Sequence, residues 1–123
     1  MKRIVAMLLL VYPVVYSFNP TAYSGQYKAW ISIRPDNSTI GIDAFCQSTE
    51  DGYVRYRLEA RKAGRAGEAK TSQSGLVYLR SKGEIQLSRL TMGISAMDRY
   101  EIRLEVYKEG KLVAEDSISY PNP

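Results

Sequence analysis

Cys46 is the single thiol of the chain, and no histidine is present to work with it. A nucleophilic or redox cysteine needs its thiolate stabilised, usually by an imidazole or a second cysteine, so a cysteine hydrolase or a self-contained dithiol site lacks its partner. The same absence removes the Ser-His-Asp arrangement and the commonest zinc ligand. Glu59, Glu101 and Glu105 are candidate acids or bases, but each alternates with basic residues along an extended run, the pattern of a solvated sheet face. Gly64 and Gly67 lie in Ala63-Gly64-Arg65-Ala66-Gly67, without the Lys-Ser/Thr pair or strand-to-helix setting of a phosphate loop. That stretch reads as a flexible hairpin loop. The chain is therefore not expected to be an enzyme, and no metal or cofactor is expected.

The elements carrying these residues are strands, because the apolar period is two almost throughout. Tyr27, Ala29, Ile31 and Ile33 alternate with Lys28, Trp30, Ser32 and Arg34, and the run stops at Pro35-Asp36-Asn37. Next, Ile40, Ile42, Ala44 and Cys46 share one face, against Gly41, Asp43, Phe45 and Gln47 on the other. Cys46 is thus expected to be a buried structural thiol. A third run points Val54, Tyr56, Leu58 and Ala60 inward and Tyr53, Arg55, Arg57, Glu59 and Arg61 outward. Later, Tyr100, Ile102, Leu104 and Val106 oppose Glu101, Arg103, Glu105 and Tyr107. Glu109-Gly110-Lys111 then turns into a last strand with Leu112, Val113, Ala114 and Ile118. Between these lie a polar stretch, Glu68 to Gly75, and two weaker runs, Leu76 to Leu79 and Glu84 to Leu90.

The amino terminus sets the compartment. Lys2 and Arg3 precede an apolar run from Ile4 to Val15 that closes on Val15-Tyr16-Ser17, which reads as a signal peptide cleaved after residue 17. Ala22-Tyr23-Ser24 offers a second site, so cleavage as late as residue 24 stays open. The run is short of the roughly 20 residues that a membrane span needs, and no cysteine near either site suits lipidation. Removing residues 1–17 of 123 leaves 106, enough for one domain with a real core. Lys2 and Arg3 are two of the 17 basic residues, and all 13 acidic ones follow, so the remainder carries 15 against 13, a net +2. That small excess argues against a nucleic-acid binder.

About seven short strands at hairpin spacing, with no helix pattern, give an all-β fold class, an immunoglobulin-like β-sandwich spanning residues 25–121. A lone Cys46 leaves it with no inter-sheet disulfide, and packing must supply its stability.

The stretch Ile85-Gln86-Leu87-Ser88-Arg89-Leu90, followed by Ile94-Ser95, Asp98, Ile102, Val106, Gly110 and Tyr120-Pro121, resembles the C-terminal half of the CsgC/CsgH family of curli assembly proteins. The residue-level match begins at about Gly83; before it the likeness is one of strand pattern. The resemblance implies a monomeric periplasmic protein that holds curlin-type amyloid subunits back from premature polymerisation. One departure is clear. The CsgC branch carries a Cys-x-Cys pair at the start of the third strand, where this chain has Tyr53-Val54-Arg55, so no thiol-disulfide role carries over and the chain resembles the CsgH branch.

The residues themselves offer a physical route to such an activity. Tyr53, Arg55, Arg57 and Arg61, joined by Arg103 and Tyr107 if the third strand neighbours the late one, would form a basic face interleaved with aromatics. It would attract an acidic, Gln/Asn-rich disordered chain and hold it through arginine and tyrosine contacts, delaying cross-β stacking. The opposing reading has Glu59, Glu101 and Glu105 neutralise those arginines across strands, leaving an ordinary mixed-charge surface. A second route is strand addition at an open sheet edge, with Trp30 either docking the client or simply packed. The rival function is a secreted structural or adhesive module, and an accessory role to a periplasmic enzyme is a third possibility.

Overall fold

The computed structural model describes residues 25–95 and 97–121; the signal peptide expected over residues 1–17, and the alternative cleavage at 24, lie outside them. The described residues form seven strands: β1 (Tyr27–Asp36), β2 (Thr39–Ser48), β3 (Gly52–Gly64), β4 (Gly67–Leu79), β5 (Glu84–Gly93), β6 (Arg99–Lys108) and β7 (Lys111–Tyr120). They make two antiparallel sheets, a three-stranded one in the order β1-β2-β5 and a four-stranded one in the order β4-β3-β6-β7. This is the immunoglobulin-like sandwich that the spacing of the strands predicts.

The core is the set of inward residues that the period-two pattern picks out. Ile40, Ile42, Ala44 and Cys46 from β2 meet Val54, Leu58 and Ala60 from β3 and Ile102, Leu104 and Val106 from β6, all essentially inaccessible to solvent. Burying each larger aliphatic among them is worth about 1.5–3 kcal/mol. β3 and β6 stand side by side at the centre of the four-stranded sheet, which is why both carry so regular an alternation.

The turns follow local chemistry. β6 and β7 are joined by Glu109-Gly110, both with positive φ (50° and 82°), the geometry that keeps a two-residue hairpin in step with strand twist. The expected loop at residues 63–67 is a tight hairpin in which Gly64 pairs with Gly67 around Arg65-Ala66. Gly64 also lies against the Asp98 carboxylate so closely that a Cβ would collide with it. Asp98 in turn accepts from the Ser95 N–H at 2.7 Å, so both residues of the Ser95/Asp98 spacing serve a turn.

Two differences from the sequence reading stand out. Glu68 to Gly75 and Leu76 to Leu79 are not separate pieces; they form one continuous 13-residue strand, β4, in unbroken register with β3. β4 lies at a sheet edge with most of its residues exposed on both faces, so no apolar alternation marks it. In β7 a bulge opposite Val106/Tyr107 inserts Val113 and turns Asp116 inward, in register with buried Leu104.

Candidate functional site

The outer face of the four-stranded sheet collects six of the seven residues proposed from sequence. Tyr53, Arg55, Arg57 and Arg61 stand along β3, and the register places Tyr107 beside Arg55 and Arg103 beside Glu59. β4 supplies the other flank, with Tyr78 beside Tyr53, Leu76 beside Arg55 and Lys70 beside Arg61. Trp30, the seventh, lies on the outer face of the other sheet. It stacks on Phe45 with ring centroids 5.5 Å apart, and the Lys28 ammonium sits 5.4 Å from its ring. Trp30 is therefore on a different sheet from the other six.

At one end of this face the surface is apolar. Tyr53 and Tyr78 meet edge to face at 4.9 Å and stay 58 % and 43 % exposed, with Leu76 52 % exposed beside them. The burial of Tyr107 raises the pKa of its hydroxyl, as do its hydrogen bond to Glu105 and that carboxylate's charge. The tyrosines thus gather at one end of the face, and Arg55, Arg57 and Arg61 follow along β3 toward the other.

The opposing, mixed-charge reading also has its counterpart. Glu59 lies 3.1 Å from Arg57, 3.3 Å from Lys70 and 3.9 Å from Arg61. These cations hold its carboxyl below the ordinary glutamate range, the Lys70 hydrogen bond being the largest cause. One carboxylate shared among three cations does not cancel them. On the β3–β4 half, Arg55, Arg57, Arg61 and Lys70 face Glu59 and Glu68, whereas on the β6–β7 half Arg99 and Arg103 face Glu101, Glu105 and Glu115. The face is polarised, basic toward β4 and acidic toward β7, and Arg103 belongs to the acidic half.

Sequence reasoning missed a second charged constellation. Asp43, on the outer face of the three-stranded sheet, is only 4 % exposed. It accepts from Arg34 Nε at 2.7 Å and Nη2 at 3.2 Å, from Arg89 Nε at 3.0 Å and from Gln86 Nε2 at 3.2 Å. The Arg34 hydrogen bond, with Arg89 adding to it, outweighs burial and holds the Asp43 carboxyl below the ordinary range. The only sequence signal was that its members are spread over three strands, Arg34 on β1, Asp43 on β2 and Gln86 and Arg89 on β5, which becomes legible only once β1 and β5 are known to flank β2. This cluster ties strands together; it leaves Asp43 no open coordination.

Cys46 is fully buried, and desolvation pushes its thiol up to about 11. Its side chain belongs to the core cluster with Ile42 and Ala44 of the same strand. A groove of about 450 Å³ near the far end of the face runs between Arg61, Arg99, Glu101 and the stacked pair Tyr100 and Tyr120, whose centroids are 5.3 Å apart.

Comparison with known structures adds to this geometry. The sandwich superposes on R. palustris CsgH with a TM-score of 0.58 at 19 % identity, over 72 % of this chain and 89 % of that one. It superposes on the E. coli curli protein CsgC with a TM-score of 0.67 at 20 % identity, over 78 % of this chain and 99 % of that one. The chain has the CsgC and CsgH fold. No family model matches the sequence, and no curated protein matches it either. Within the CsgC-like fold, the motif Ile85 to Leu90 is β5, whose Leu87 and Leu90 enter the core, and Ile102 and Val106 are core residues of β6. Leu87, Leu90, Ile102 and Val106, among the residues that carried the resemblance, are thus residues of the core.

Proposed function

We propose that the chain is a periplasmic, chaperone-like inhibitor that engages curlin subunits transiently and delays their polymerisation into amyloid before export. The observation that carries this reading is the basic, tyrosine-bearing half-face of β3 and β4 on a fold shared with the curli protein CsgC. The basic amino-terminal run ahead of an apolar segment supports a secreted destination. Arg55, Arg57 and Arg61 attract an acidic disordered chain over distances of about a Debye length, roughly 10 Å at 0.1 M salt. Tyr53 and Tyr107 then hold it through flat aromatic contacts, each weak enough to release. While held, the client cannot stack into the cross-β arrangement that nucleates fibrils. The protein acts as a monomer, and no nucleotide or cofactor enters the cycle, because the opposing step is only the nucleation that the contact delays.

The test is fibril formation by a purified major curlin followed with thioflavin T, with the mature domain added well below equimolar ratio. A longer lag is the expected result. An unchanged lag, with the domain instead co-assembling stably into fibres, would favour the structural or adhesive module.

A further inference from the structure

The four sheet edges of the sandwich are not equally protected. At one flank β1 and β7 lie together, and the Asp116 carboxylate of β7 accepts the backbone N–H of Ile31 in β1 at 2.9 Å. β7 is also bulged, a device that spoils an edge for pairing. At the other flank β5 carries its own irregularity against β2 at Ala44/Phe45, and Ser88 of β5 bonds the Gln73 side chain of β4. β4 itself is the least protected of the four. It is 13 residues long, has no proline, keeps an unbroken register with β3, and from Ala69 to Gly75 carries a single charge, Lys70.

The hairpin fixes which backbone groups are offered. In a two-residue hairpin the closing pair, here Gly64 and Gly67, exchanges both hydrogen bonds, and bonding then alternates along the strand. Residues 69, 71, 73 and 75 bond β3, so Lys70, Ser72, Ser74 and Leu76 direct their N–H and C=O groups to the open side. Their side chains stand on the same outer face as Arg55, Arg57 and Arg61.

We infer that the β4 edge is where the client docks, by adding an extended strand antiparallel or parallel to Lys70–Leu76. The inference rests on the proposed function and names the part of the surface that would carry it. The occupant is a polar, acidic, amide-rich strand. Its backbone meets the free donors and acceptors of β4, and its amides and hydroxyls match Ser72 and Ser74. Its carboxylates fall next to the basic half of the face, not the acidic half beside β7. A strand so capped has one side occupied by a folded domain that cannot propagate a fibril.

Two substitutions test this without touching the core. Ser72→Pro and Ser74→Pro each remove one outward donor and leave the bonds to β3 in place. In thioflavin-T assays with purified curlin subunit, both are expected to lose most of the lag extension that the unmodified domain gives. As a second measurement independent of proline, Ser74→Cys places a single accessible thiol on the β4 edge and Ser117→Cys places one on β7, Cys46 being buried. A curlin peptide whose cysteine is activated as a mixed disulfide with thiopyridine should exchange onto the first, releasing thiopyridone, and not onto the second. Proline variants that inhibit fully, or equal cross-linking at both edges, would overturn the edge assignment while leaving the chaperone reading intact. Absence of inhibition by the unmodified domain would remove both.

Discussion

Ile31 and Asp116 join the two sheets: the backbone N–H of Ile31 in β1 reaches 2.9 Å to the carboxylate of Asp116 in β7. The bulge at Val113 makes the contact, since it shifts Asp116 into register with inward-facing Leu104. A polar residue on an inward position is thereby used to satisfy an edge donor of the opposite sheet.

Replacing Asp116 with alanine should therefore cost about 1–3 kcal/mol, the range for leaving a partly buried donor unmatched. Urea unfolding is the measurement, with the midpoint falling and the slope unchanged. An unaltered midpoint would mean that water serves the Ile31 N–H equally well.

Asp43 predicts the acid limb of stability. Its folded pKa is depressed, chiefly by the Arg34 hydrogen bond, so its contribution is present above the unfolded value of about 3.9 and is lost as pH falls through the folded value. Thermal midpoints should decline below about pH 4 in the native chain. In Asp43→Asn they should start lower and decline less steeply over the same window.

Cys46 should resist thiol reagents in the folded protein at pH 8 and react at the rate of unfolding, because it is buried and its thiol is raised to about 11. Alkylation across a urea series checks this. Cys46→Ser should be the more destabilising of the small replacements, since it buries a hydroxyl in an apolar strand face, at a cost of about 1–3 kcal/mol.

The polarity of the outer face separates the arginines. Reversing Arg55 and Arg57 together to glutamate should slow association with an acidic client by roughly tenfold at low salt. Arg103→Glu should change it little, because Arg103 stands among Glu59, Glu101 and Glu105. Stopped-flow or surface-capture kinetics against immobilised curlin monomer would read the difference.

The parts of this surface legible in sequence are those whose strands bury one face. β3 and β6 alternate cleanly because both sit at the centre of a sheet, so Tyr53, Arg55, Arg57 and Arg61 could be set on one side of β3, and Arg103 and Tyr107 on one side of β6, from the sequence; that the two sides form one face depends on β3 pairing with β6. β4 was illegible from Glu68 to Gly75, because an edge strand wetted on both faces has no reason to alternate. Asp43 was illegible for a different reason. Its burial comes from the side chains of Arg34 and Arg89 on neighbouring strands, and a charged residue hidden by other charged residues leaves no hydropathy signature. The division of the outer face of the four-stranded sheet into basic and acidic halves was illegible as well, since it depends on β4 and β7 lying at its two flanks.

The most direct measurement is the thioflavin-T lag of a purified major curlin at a fixed, well sub-equimolar amount of the mature domain, across ionic strength. The account predicts a lengthened lag that shrinks as salt rises from about 0.01 to 1 M, where the screening length falls from about 30 to about 3 Å. A lag identical to that of curlin alone at every salt concentration would contradict it.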